Sequence, residues 1–352
     1  MRGNITGILV VAGGYAAAVI GAGFASGQEI VSFFVRQGRL GLIGIAAACL
    51  FFSLFAAVVL SRCVGERIHS FTELLGNIVP NKALRRAIEV VIFLCAMSTM
   101  CVMTSCAGEI GAQLYGVPVI IGAVIFSVVC GMVFLMETRN MMGTNALLGA
   151  VITTGIIFTC LYILRYREHQ TMSVQVKAVV SGLTYAGYNV VGTGAVLAGM
   201  SRFLKSKKEA AVAAATSGMV LFLMITLIWT VLSIYYGKIN LGEIPMLTMA
   251  FRQGRALGIF YGVMLAAAVI TTGISSGYAV IDMLSRKMTA KTAANVTLFI
   301  SFCMSGAGFS TLIDTLYRLC GYVGIAAAVY ITVKSSISIK NEEKQRNLKK
   351  TP

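Results

Sequence analysis

The chain reads as an all-α integral membrane protein: ten transmembrane helices in two inverted five-helix repeats, with the first and sixth helices broken. Three observations predict this. Hydrophobic residues make up 57% of the 352 and charged residues only 12%, and the mean hydropathy is +0.84. The basic residues gather in every second connector. A glycine-rich interruption, Val19-Ile20-Gly21-Ala22-Gly23, recurs half a chain later as Val190-Val191-Gly192-Thr193-Gly194.

A segment crossing the hydrocarbon needs about 20 apolar residues. Ten such segments are expected at 5–36, 39–62, 86–115, 117–136, 141–164, 173–200, 210–236, 256–285, 292–310 and 311–334. The first outruns a signal peptide and lacks a cleavage-like site ahead of a polar region, so it is expected to stay in the protein. The first repeat is placed at 5–164 and the second at 173–334, within one transmembrane domain spanning 1–336. The connector from Lys238 to Arg255 is polar and contains Pro245, which suits a short lid-like helix outside the membrane. Residues 337–352 form a charged tail, expected to be disordered from Lys340 and to lie in the cytoplasm.

Most of the 29 Lys and Arg residues fall on one side if both termini are inside, which favours an even number of spans in a bacterial inner membrane. The +16 charge is then topological and does not point to nucleic acid. The nine cysteines are scattered with no C-x-x-C pair, so they read as small apolar packing residues. His69 and His169 sit in connectors, and no nucleophile–base or metal-ligand cluster suggests an enzyme or a cofactor.

Glycines Gly21, Gly23 and Gly27, followed by Gln28 and Glu29, interrupt span one in the middle of the bilayer. A broken turn leaves N–H and C=O groups unpaired, which hydrocarbon does not satisfy, so such a break must line a cavity or bind something polar. Two breaks at matching positions of inverted halves point to a midplane binding site. The alternative is small-residue helix packing, where glycines let backbones approach.

The stretch G-A-G-F-A-S-G-Q-E, Gly21 to Glu29, resembles the YkvI-like bacterial membrane protein family. That family is similar to the amino acid–polyamine–organocation superfamily with the five-plus-five, leucine-transporter-type fold. Gly21-Ala22-Gly23 resembles the G-x-G of its unwound first helix, and Tyr185-Ala186-Gly187-Tyr188-Asn189 resembles the stretch where the sixth helix breaks. The resemblance implies that N–H groups near Ala22 and Gly23 hold a substrate carboxylate. The carbonyl end of a half-helix in span six would face the ammonium group, and Tyr185 and Tyr188 would enclose the side chain. The implied substrate is a small neutral amino acid, since no Asp or Glu lies in the span-six break. Ordinary helix packing is an equal account of the two tyrosines.

Span eight carries Thr272, Ser275 and Ser276 on one helical face. The resemblance implies a sodium site formed by the carbonyls of Ala17, Ile20 and Thr272 with the hydroxyls of Ser275 and Ser276. Their alternative is bonding back to their own helix. Proton-coupled relatives place a basic residue in span five. Here that span has Thr153 and Thr154 and no Lys or Arg before Arg165, which favours sodium. Phe24 follows the G-x-G where a second sodium site would need a polar side chain.

Intramembrane charges are costly and often functional. Glu29 and Arg318 are expected to pair across the outer vestibule as a gate, although relatives use a different sign order; alternatively Glu29 carries a proton. Asp282 and Arg286 are expected to neutralise each other at i, i+4 spacing. The function so implied is sodium-coupled (or proton-coupled) import of a small neutral amino acid by alternating access. The alternative is an amino-acid-sensing membrane receptor of the same fold without transport.

Overall fold

In the computed structural model, residues 4–136, 142–165 and 177–348 are described. Each of the ten predicted spans falls on helix. Span one is three pieces, α1 (Ile5–Val19), α2 (Ala22–Ser26) and α3 (Gln28–Phe33). There follow α4 (Gly41–Glu66), α5 (Phe71–Ile78), α6 (Lys82–Tyr115), α7 (Val119–Leu135) and α8 (Met142–Ile163). The second half holds α9 (Ala178–Met200), α10 (Lys207–Tyr235), α11 (Pro245–Gln253), α12 (Arg255–Leu284) and α13 (Ala290–Ser305). Span ten is α14 (Phe309–Leu312), a π-helical turn over Ile313–Tyr317, and α15 (Arg318–Leu348). By length and composition alone, α4, α6, α10, α12 and the segment Phe309–Ile337 are long and apolar enough to cross a membrane.

Local chemistry explains the boundaries. The Asn4 side chain accepts from Gly7 N–H at 3.1 Å to start α1, and Asn81 accepts from Ala83 at 2.9 Å to start α6. Ser206 and Thr289 cap α10 and α13 in the same way, each at 3.2 Å. Gly116, at φ 68°, ends α6 in the left-handed conformation that disfavours side chains.

The helices pair by equal positions in the two halves. Span two packs on span seven (α4 with α10), span three on span eight (α6 with α12), span one on span six (α1 with α9) and span four on span nine (α7 with α13). Span five (α8) touches spans eight, one and seven, while span ten (α15) touches spans three, six and two. These span–span contacts of one half thus have their counterparts in the other, the pattern that five-plus-five halves produce.

Two expectations are corrected. Span six does not break: α9 is continuous from Ala178 to Met200. Its polar groups are absorbed inside the helix, with Asn189 Nδ2 donating to Tyr185 O at 3.0 Å and Thr193 Oγ1 donating to Asn189 O at 3.0 Å. Its glycines serve close approach: a Cβ on Gly187 would strike the Gly321 carbonyl of α15, and one on Gly182 the Gly44 carbonyl of α4. The backbone beyond Lys340 is helical to Leu348, so the expected disorder is not seen to that residue. Arg286 also meets Glu89 of α6 at 3.4 Å, a contact to another span. His169 and Arg139 lie outside the described residues.

The expected lid is a helix, α11, with Pro245 as its first residue. It is well packed, with Met246, Leu247, Met249 and Ala250 fully buried. Glu243, just before it, accepts from Ser310 N–H at 2.6 Å and Ser310 Oγ at 2.7 Å, tying the lid to α14. Thr248 accepts from Gln113 Nε2 of α6 at 2.8 Å.

Candidate functional site

The site is built on the break in span one. Ile20, at φ −79° and ψ 73°, leaves the α region, and Gly21 N–H turns back to Val19 O at 2.9 Å. That bond takes away the donor that would have reached Ala17 O, one turn earlier. Helix resumes at Ala22, whose first turn is closed by Ala25 N–H to Gly21 O at 3.0 Å. The N–H groups of Ala22, Gly23 and Phe24 therefore stand at a helix start without intrahelical acceptors.

The resumed helix is short. At Gly27 the chain adopts φ 81°, and a Cβ there would crowd Met246 Cγ at 2.7 Å and Leu232 Cδ1 at 3.0 Å. The groups freed by this second interruption are satisfied by the protein. Ser26 Oγ donates to Gly23 O at 2.6 Å and accepts from Gln28 N–H at 3.1 Å. Tyr261 of α12 donates to Ala25 O at 2.6 Å. The axial dipole expected behind the first break is thus limited to a five-residue helix, Ala22–Ser26.

The space beside Gly23 is taken by the protein's own carboxylate. Glu29, in the first turn of α3, folds back so that a Cβ on Gly23 would strike its Oε1. Glu29 is 4% exposed, the Tyr188 side chain of α9 lies beside it, and Oε2 has no hydrogen-bond partner. Tyr188 stacks on Tyr317 of the π-helical turn at 4.4 Å and on Phe33 at 6.1 Å. Spans one, six and ten thus close a carboxylate within an aromatic wall.

The other span-six residues expected at the substrate are placed elsewhere. Tyr185 lies within the ring cluster of Phe33, Phe34 and Phe52, at 5.5, 5.0 and 6.0 Å. Gly187 faces span ten, and Asn189 bonds within its own helix. Because α9 has no interior end, it presents no carbonyl terminus to an ammonium group.

On the opposite side of the break, Gly21 faces Thr272, whose Oγ1 would lie 3.7 Å from a Cβ on the glycine. Ala17 meets α8, where a Cβ on Gly149 would come within 3.1 Å of it. Of the residues expected at the cation, Thr272 thus lies against the break at Gly21, while Ala17 meets span five. Ser276 is buried but turned inward, donating to Thr272 O at 2.7 Å and Gly273 O at 3.2 Å, while Ser275 is exposed.

The expected Glu29–Arg318 gate is not formed. Arg318 Nη2 donates to Ser32 O at 3.0 Å and approaches Asp314 at 3.4 Å, with its guanidinium 5.5 Å from the Phe33 ring centroid. The charge pair joining spans one and ten is Arg36–Asp314 at 2.6 Å, with Ser32 donating to the same carboxylate. Arg36 sits in a 3-10 turn, Val35–Gln37, after α3. Base on span one and acid on span ten is the reverse of the expected pairing. Arg36 was missed because it lies at the rim, where a basic residue passes for a topological marker. Above the aromatic wall, a cavity of about 70 Å³ is lined by Phe33, Gln37, Lys177, Ser181, Thr184 and Arg318.

No family model matches the chain. It is 26% identical over 326 residues to the membrane protein YkvI of Bacillus subtilis (strain 168), covering 89% of this chain and 91% of that protein. It is 24% identical to the YyaD protein of the same organism, covering 91% and 94%. Among solved structures, MhsT in complex with L-phenylalanine superposes with a TM-score of 0.62 at 14% identity, over 93% of this chain and 87% of that one. A manganese transporter of Eremococcus coleocola gives 0.60 at 15% identity, over 95% and 78%. A Na+-coupled sialic acid symporter in a substrate-bound, outward-open state gives 0.57 at 15% identity, over 89% and 76%. The chain is similar to YkvI and YyaD along most of its length, and it has the leucine-transporter-type fold of these membrane transporters.

Proposed function

We propose that this protein is a secondary active transporter that moves a small neutral amino acid across the bacterial inner membrane by alternating access. The observation that carries the reading is the break at Ile20–Gly21, which leaves bare backbone groups near the buried Glu29 and the Tyr188–Tyr317 stack. Backbone groups stay unpaired inside a membrane where they line a site or meet a ligand. The substrate carboxylate would meet the N–H groups of Ala22 and Gly23, with Tyr188 against the side chain. Sodium is the coupling ion of this reading, held between the Ala17 and Ile20 carbonyls and Thr272, with Ser275 and Ser276 supplying hydroxyls once turned toward it. Hard cations take such oxygen ligands.

The fold and the L-phenylalanine bound to MhsT support the substrate class, and the Na+-coupled sialic acid symporter supports the ion. Arg36 and Asp314 replace Glu29 and Arg318 as the outer gate. The halves 5–164 and 173–334 are the two inverted repeats of a single domain, with both termini and the 337–352 tail in the cytoplasm.

The test is uptake of radiolabelled neutral L-amino acids into sealed proteoliposomes, with and without a sodium gradient. Accumulation by the wild type and its loss by about tenfold or more in Gly23→Leu is expected, on the scale of usual site couplings. Ligand-dependent thermal stabilisation without accumulation would favour the receptor and overturn the transporter.

A further inference from the structure

We propose that Glu29 is a protonation site inside the substrate chamber, through which transport draws on a proton gradient. The inference rests on the transporter reading and adds a second coupled species to it.

Three observations carry it. Glu29 is 4% exposed in the short helix after the break, and its Oε2 is buried without a hydrogen-bond partner. By contrast, among the described residues Asp314 has Arg36 and Ser32, Glu243 has Ser310, Glu66 has Arg62, and Glu89 has Arg286. Third, the carboxylate lies against Gly23, beside the N–H groups that would receive a substrate carboxylate.

The titratable groups facing Glu29 are the phenols of Tyr185 and Tyr188 from α9, Tyr317 from the π-helical turn, and the Cys106 thiol from α6. Glu109 lies beyond Cys106 on the same helix. Arg252 of the packed lid helix is exposed, and the Arg36, Asp314 and Arg318 charges are engaged with one another. No cation is thereby supplied to Glu29 among the described residues. An uncompensated carboxylate charge in such a place costs several kcal/mol. A proton on Oε2 removes that cost and turns a repelling charge into a donor for the incoming substrate.

The step is a simple proton transfer. An O–H bond forms on the Glu29 carboxylate with a proton from the outer water. After the chamber turns inward, that bond breaks and the proton passes to cytoplasmic water. Ionised Glu29 repels a second carboxylate at Gly23 and neutral Glu29 does not, so proton and substrate each favour the other's binding. Gly21 and Thr272 lie on the other side of the break, so sodium and the proton occupy separate places.

The experiment pairs two readouts on the full-length protein in lipid. In an infrared pH titration without substrate, the wild type should show a protonated-carboxyl band that disappears on alkalinisation. The band should be absent in Glu29→Gln, shifted in Glu29→Asp and retained in Glu109→Gln. A band unchanged in Glu29→Gln overturns the proposal. In proteoliposomes with an alkaline interior, accumulation of radiolabelled neutral L-amino acids should rise as external pH falls. Glu29→Gln should lose that accumulation by about tenfold more than it loses substrate exchange at equal pH. Equal pH-driven accumulation by wild type and variant overturns the proton site while leaving the transporter standing. A Glu29-dependent band in a protein that neither accumulates nor exchanges sinks the transporter reading and, with it, the coupling role.

Discussion

Val19-Ile20-Gly21-Ala22-Gly23 and Val190-Val191-Gly192-Thr193-Gly194 bring nearly the same residues to corresponding places in the two halves, and their fates diverge. In span one the backbone leaves the helix at Ile20, while in span six the ladder runs through. Glycine permits a break without requiring one. The surroundings decide. Around span one, the Gly21 N–H turns back to Val19 O and helix resumes at Ala22, facing Thr272 across an ordinary contact distance. Around span six, Gly187, Gly321 and Gly324 interlock so closely that an unwound α9 would lose its contact with α15.

The largest expected effect tests that interlock. Gly187→Leu should cost about 3 kcal/mol or more, because a backbone carbonyl has no room to yield. Little folded protein should survive size exclusion after mild heating, whereas Gly23→Leu, which displaces only the end of the Glu29 side chain, should remain folded. Equal loss in both would erase the distinction between a packing glycine and a site glycine. Next, Tyr261→Phe leaves Ala25 O buried without its donor, at a cost of about 1–3 kcal/mol. A thermal midpoint unchanged by this substitution would mean that the second interruption does not rely on α12. The smallest effect concerns Gly192, whose Cβ position is open to 4 Å. Gly192→Ala should be neutral or stabilising by about 0.5–1 kcal/mol, as for an ordinary helix interior. A clear destabilisation in the melt would indicate that span six also opens.

Much of this was legible in the residues. Apolar runs located the helices within a few positions, and Gly21-Ala22-Gly23 located the break. The short helix α11 followed from Pro245 and its polar flanks. The amphipathic α5 was not separated from its basic connector, because eight residues are too few to stand out. Span six was misread because a glycine pattern carries no information about the helix it will touch. The charge pairing failed for a related reason: Glu29, Arg36, Asp314 and Arg318 all stand near one end of their spans, and nothing local says which carboxylate turns inward. The depth of Glu29 follows from the turn at Gly27, a tertiary fact set by Met246 and Leu232.

Span one is, in mechanical terms, two rods bolted to different frames. The inner rod, α1, lies along α9 and α10 and is pinned at its start by Asn4 to Phe203 O at 2.7 Å. The other rods are fastened mainly to α12, α11 and the span-ten rim, with α3 also touching α9 and α10. Tilting one frame against the other would concentrate the flexing at Ile20–Gly21, so the joint that leaves backbone groups bare is also the pivot about which they would turn.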